Sequence, residues 1–130
     1  MTYKVSIITN DNVFFNLIDS FLKAQDGSIV TTKITSISEI ESNYTQYSDL
    51  IIVDGNLTKN SPIELVHDMR YTYDIYIEIW FFSDNMLPEY IKKAKEVGAN
   101  LILKKPFNPT EIAIKIKEFL HRNTIINQRT

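Results

Sequence analysis

Cysteine is absent from this sequence. That excludes disulfide staples, thiol nucleophiles and thiolate metal sites, and it fits a reducing, cytoplasmic setting. Glycine is scarce, at 3 residues in 130, and none falls in the polar turn Thr9-Asn10-Asp11-Asn12. A flavin or nucleotide binder would carry a Gly- or Ser/Thr-rich phosphate loop there, so that class is disfavoured. Long apolar runs are missing: none approaches the about 20 residues that span a bilayer. The N-terminus, Met1-Thr2-Tyr3-Lys4, enters a strand-like segment and lacks a signal-peptide pattern. Charge of one sign is missing too. The formal net charge is -2, which gives no electrostatic case for nucleic acid. Internal repeats and low-complexity tracts are not found. What remains, 44% hydrophobic and 23% charged residues over 130 positions, is ordinary for one globular domain with a real core.

The stretch from Ser48 to Leu57 organises the rest. Leu50-Ile51-Ile52-Val53 is an unbroken apolar run, and Asp54 and Gly55 follow it directly. A short run of this kind between turn residues reads as a strand buried on both faces, as in a parallel sheet. Asp54 then stands at the strand's carboxyl end, the edge where open parallel sheets place ligands and chemistry.

Four further strands are read at Val5–Ile8, Ile29–Ile34, Ile75–Phe82 and Leu101–Leu103. Helices are expected between them. The first runs from Val13 to Ala24 on the spacing of Phe14, Leu17, Ile18, Phe21 and Leu22. A short second helix opens at the capping box Ser36-Ile37-Ser38-Glu39 and runs toward Tyr44. The third starts at Ser61-Pro62-Ile63-Glu64, with a Ser cap and Pro in the first turn, and reaches Arg70. The fourth carries Leu87, Tyr90, Ile91 and Ala94 and stops at Gly98. The fifth opens at Asn108-Pro109-Thr110-Glu111 and buries Ile112, Ile116, Phe119 and Leu120. Beyond His121 the pattern dissolves. Residues 1–122 are therefore read as the domain and 123–130 as a tail or the start of a linker.

Strict βα alternation implies an α/β fold: a five-stranded parallel sheet, doubly wound with five helices. Its expected strand order is the flavodoxin-like 2-1-3-4-5. That order gathers Thr9, Asn10, Asp11, Asp54, Ser83 and Lys105 at neighbouring strand ends. A carboxylate, a hydroxyl and an ammonium in one crevice can manage a phosphoryl group, with Asp54 as nucleophile and Lys105 as the cation. Asp11 and Asp84 each have two readings, as a metal ligand or as a helix N-cap. Trp80-Phe81-Phe82 reads as core packing, and His67 and His121 as surface histidines on helices.

From Lys4 to Arg122 the chain resembles the receiver domain of bacterial two-component response regulators. The resemblance rests on Asp54 after its apolar strand, Leu57 three residues on, Ser83 ending the fourth strand, and Gly98-Ala99 followed by Lys105-Pro106-Phe107. It implies a signalling module, at most self-catalysing phosphotransfer and hydrolysis at Asp54. The phosphoryl group would come from a sensor histidine kinase or phosphotransfer protein, with Mg2+, and Ser83 and Lys105 would engage it. It also implies a cis Lys105-Pro106 bond, an output domain or effector as partner, and a homodimer face on the fourth helix, fifth strand and fifth helix. Neither nucleic acid nor membrane is expected to bind this domain directly.

Departures are concentrated at the metal site. The family ends its first strand with an acidic pair, and this chain has Thr9-Asn10. The remaining candidates to hold Mg2+ are Asn10, Asp11, Asp54 and Asn56, so weakened affinity is expected. Thr58 stands where a Pro is usual, Asp84 where a small residue is usual, and Ile102 where an aromatic often reports the switch. The alternative reading is a degenerate receiver that docks a partner without phosphorylation.

Overall fold

A computed structural model describes residues 2–36, 38–39, 47–58 and 61–129, with the side chains of 124–129 excepted. Five strands form one sheet: β1 (Tyr3–Ile8), β2 (Ile29–Ile34), β3 (Leu50–Asp54), β4 (Ile79–Ser83) and β5 (Leu101–Lys104). All neighbours are parallel, in the order β2-β1-β3-β4-β5. Among the described residues four helices connect them: α1 (Asn12–Gln25), α2 (Pro62–Tyr71), α3 (Pro88–Val97) and α4 (Pro109–Arg129). The helix expected from Ser36 toward Tyr44 lies mostly outside the described residues. The fourth and fifth helices of the sequence reading are thus α3 and α4.

The central strands are apolar throughout because both sheet faces are covered, and the two-residue period sorts their side chains. Leu50, Ile52, Trp80 and Phe82 face α1 and α4, packing with Phe14, Ile18, Leu22, Ile116 and Leu120. Ile51, Val53, Ile79 and Phe81 face α2 and α3, packing with Ile63, Val66, Met69 and Ala94. In β3 Asp54 breaks the apolar run and is still only 2% exposed.

Helix starts follow the expected local chemistry at two places and depart from it at a third. Asp11 caps α1, its carboxylate accepting from the Val13 and Phe14 N–H groups at 2.8 and 3.3 Å. Ser61 caps α2 by accepting from the Glu64 N–H, with Pro62 in the first turn. Asp84 does not cap α3. The cap position is Leu87, which offers no side-chain bond, and Asn85 receives the Leu87 N–H instead at 3.1 Å. Gly98 ends α3 at φ 126°, a left-handed backbone that disfavours any side chain. A Cβ there would also lie 2.6 Å from the Arg70 side chain.

Two boundaries differ from the sequence reading. The fourth strand begins at Ile79 rather than Ile75. Arg70 is the reason. Its guanidinium donates to the carbonyls of Ile75 (2.9 Å), Ile77 (2.7 Å) and Gly98 (2.8 and 3.2 Å) and to the Asn100 side chain (2.8 Å). The carbonyls of Ile75 and Ile77 are spent on this cation and not on a sheet ladder, and Asp74 turns the chain at φ 51°. The last helix continues to Arg129 although its apolar stripe ends near His121. No Gly or Pro follows Pro109, so nothing local breaks the backbone hydrogen bonding.

Candidate functional site

The site is built where β1, β3, β4 and β5 end. Ile8 pairs with Val53, so the next residues, Thr9 and Asp54, continue side by side. Asp54 pairs with Phe82, and Gly55 follows in a tight approach, its N–H 2.6 Å from the Phe82 carbonyl. A Cβ on residue 55 would stand 2.4 Å from that same oxygen, which is why glycine must come next.

Three donors converge on the Asp54 carboxylate. Lys105 Nζ lies 2.5 Å from Oδ1, the Asn56 N–H donates to Oδ1 at 2.9 Å, and the Thr9 hydroxyl donates to Oδ2 at 2.6 Å. Burying a carboxylate is costly unless it is paired and hydrogen-bonded, and here both conditions are met. The Lys105 ammonium also contacts the Asn56 side-chain oxygen at 3.1 Å and sits 4.4 Å over the Phe14 ring. Lys105 precedes Pro106 through a cis peptide bond. Asn56 then donates from Nδ2 to Asp84 at 3.1 Å, linking the loops after β3 and β4.

Among the residues expected from the sequence, Asp54, Lys105 and Asn56 are in direct contact. Ser83 ends β4 and is buried, but its hydroxyl is turned into the following loop. It donates to the Asn85 carbonyl at 2.9 Å and accepts the Asn85 N–H at 3.0 Å. Asn10 serves as a tie between loops. It donates to the Thr35 carbonyl at 3.2 Å and accepts from Thr58 at 3.3 Å. Thr9 stands among the strand-end residues expected from the sequence, but its bond to Asp54 is not legible there, nor is the seat that the Phe14 ring gives Lys105. The signal for Thr9 was its position one residue beyond the β1–β3 pairing; for Phe14 it was masked by a helical stripe that reads as core.

Beside the carboxylate a cleft of about 430 Å³ opens, lined by Phe14, Leu17, Asn56, Asp84, Lys105 and Phe107 among others. Asp84 and burial act on Tyr90 nearby: burial first, and the Asp84 charge second, push its phenol above the ordinary tyrosine value.

A doubly wound parallel sheet with a buried carboxylate and an ammonium in contact at its carboxyl edge defines a class of α/β domains that place their chemistry in a strand-end crevice. The description "Response regulator receiver domain" matches residues 5–117, and the chain belongs to that family. It is a receiver domain of two-component signalling, a family of signalling modules rather than classical enzymes. Among curated proteins it is similar to the aerobic respiration control protein ArcA of Escherichia coli K12, 25% identical over 122 residues. That match covers 93% of this chain and 50% of the relative, so the chain spans about half the length of the curated relatives it matches. Among solved structures it is similar in fold to the chemotaxis response regulator CheY4 of Vibrio cholerae. There the TM-score is 0.75 at 23% identity, covering 92% of this chain and 99% of that one. It is also similar to response regulator DrrB of Thermotoga maritima, with a TM-score of 0.76 at 20% identity, covering 95% and 54%.

Receiver domains typically bind Mg2+ at an acidic pocket. The residues present here do not fit such a site. Thr9 replaces one carboxylate and already holds Asp54, Asn10 is tied to two loops, and Asp11, which lines the cleft, is held by its Oδ1 as the cap of α1. Among the described residues no cluster of three or more His, Cys, Asp or Glu side chains is grouped to hold a metal ion. No helix among the described residues is long and apolar enough to cross a membrane.

Proposed function

We propose that this domain accepts a phosphoryl group on Asp54 and passes the change to a partner or output domain through the loop leading into α3. The observation that carries this reading is the contact between the Asp54 carboxylate and the Lys105 ammonium at the strand-end crevice. In the transfer, an Asp54 oxygen forms a bond to phosphorus. The P–N bond of a phosphohistidine donor breaks, and its electron pair leaves on the imidazole, which is then protonated. Lys105 moves with the developing negative charge. The added group brings about -1.5 to -2 charge and strong acceptor oxygens. Those oxygens compete for the Ser83 hydroxyl, which now holds both backbone groups of Asn85. Releasing Asn85 loosens the start of α3, where Leu87 provides no cap of its own. The face of α3, β5 and α4 would then shift between two packings and alter its fit to a partner or to a second copy of the domain.

Treatment with acetyl phosphate, followed by intact-mass analysis and peptide mapping, tests the reading. One phosphoryl group on Asp54, lost in Asp54→Asn, is the expected result. No label, under conditions that label an ordinary receiver, would overturn it.

A second reading is a degenerate receiver that docks a partner without phosphorylation. What favours it is the commitment of Asn10 and Asp11 to other bonds. Unchanged signalling by Asp54→Asn in cells supports this alternative over the first.

A further inference from the structure

We infer that the Asp54 crevice works without a divalent cation, the Lys105 ammonium and the Thr9 hydroxyl together filling the role a metal ion would have. The inference rests on Asp54 being the phosphoacceptor, and it concerns how that carboxylate is held and balanced.

Charge comes first. Asp54 is directly paired with Lys105, whose ammonium is seated over the Phe14 ring and braced by Asn56. The pair is neutral. A divalent ion entering against Oδ1 would meet that ammonium at contact distance; the other acidic groups at the cleft are Asp84, linked through Asn56, and Asp11, held as the α1 cap. Magnesium accepts near-octahedral oxygen donors and uses one or two carboxylates. Here both Asp54 oxygens are already engaged, Oδ1 by Lys105 and the Asn56 N–H and Oδ2 by Thr9.

Hydrogen bonding comes second. Thr9 is fully buried, at 0% exposure, and a buried hydroxyl needs partners. It donates to Asp54 Oδ2 and accepts the Asp11 N–H at 3.0 Å. The same residue therefore orients the carboxylate and fixes the first turn leading to the Asp11 cap. Swinging Asp11 toward a metal would break its two bonds to the α1 N-terminus. Thr9 is a positioning residue: it acts on the phosphoryl group through Asp54.

The test separates metal binding from phosphoryl chemistry. Mn2+ uptake is followed by electron paramagnetic resonance on the wild-type domain, on Asp54→Asn and on the Thr9→Asp/Asn10→Asp double variant. No saturable uptake at millimolar Mn2+ is expected for the wild type, and a gained site is expected for the double variant. Saturable wild-type uptake that Asp54→Asn abolishes would overturn the inference, whatever the phosphorylation result. In parallel, beryllofluoride occupancy is read by fluorine NMR with Mg2+ and with EDTA. Equal occupancy supports the inference, and occupancy that requires Mg2+ sinks it while leaving Asp54 as the acceptor. If beryllofluoride never binds, the phosphoacceptor reading falls and the Mn2+ result still decides the cation question. For Thr9, a hydroxyl proton protected from exchange in the wild type and lost in Asp54→Asn is expected. Thr9→Val should slow acetyl phosphate labelling about tenfold, the loss of one hydrogen bond to a charged group, and Thr9→Ser should restore it. A freely exchanging Thr9 hydroxyl proton in the wild type would remove its assigned role.

Discussion

Asp54 is the residue whose surroundings decide the site. It terminates a strand that is buried at every position, and its charge is tolerated because Lys105, Asn56 and Thr9 satisfy it. Removing one partner of a buried pair leaves the other charge unbalanced. Lys105→Met should therefore cost roughly 2–4 kcal/mol in urea unfolding. Adding Asp54→Asn to that variant should recover part of the loss, because the stranded charge is gone; a purely additive double variant would contradict the pairing. Gly98 offers a second test at this scale. A methyl at a left-handed position, against the Arg70 stem, should destabilise Gly98→Ala by about 1–3 kcal/mol, read from the same unfolding curves.

Among the elements, the segment from α2 to β5 is tied by one arginine. Burial lowers the Arg70 guanidinium from its ordinary value, with the Glu78 charge opposing the shift, and its hydrogen bonds run to three carbonyls and one side chain. Arg70→Met should destabilise the domain by roughly 2–4 kcal/mol and raise hydrogen exchange in residues 72–78. The start of α3 is the opposite case, since its cap position contributes no side-chain bond. Leu87→Asp supplies an N-cap and should stabilise the helix by about 1 kcal/mol. If the loop after Ser83 carries the signal, the same change should also slow the response to phosphorylation.

For the molecule as a whole, α1 and α4 are joined at the end of the sheet away from the crevice. Asp26, which ends α1, accepts from the Ser28 hydroxyl at 2.6 Å and the Ser28 N–H at 2.9 Å, and meets His121 of α4 at 3.0 Å. These bonds, Ser28 first, hold its carboxyl well below the usual carboxylate range. A depressed folded-state value means that Asp26 contributes stability above the unfolded carboxyl value of about 4. That contribution is lost as pH falls through the folded value. Asp26→Asn should therefore melt at a lower temperature than the wild type at pH 7, with the gap closing only in strong acid. A gap independent of pH would contradict it.

Much of the architecture was legible because its determinants are local. Apolar runs marked strands covered on both faces, Ser61-Pro62 and Asn108-Pro109 marked helix starts, and βα alternation left few ways to wind the sheet. The strand-end position of Asp54 and the nearness of Lys105 came from that same reasoning. Hydrogen-bond partners were another matter. The Asp11 cap of α1 is a contact two to three residues long and was one of the two readings the sequence offered, whereas whether Thr9 reaches Asp54 depends on register between strands distant in sequence. Arg70 reaches the Ile75 and Ile77 carbonyls while its guanidinium is also held by Gly98 and Asn100 from the far side of α3, and that placement shortened a strand that local composition had extended. Periodicity and propensity act within a few residues and survive in the sequence alone. The allocation of donors to acceptors is settled only when the packed chain brings competing groups within bonding distance.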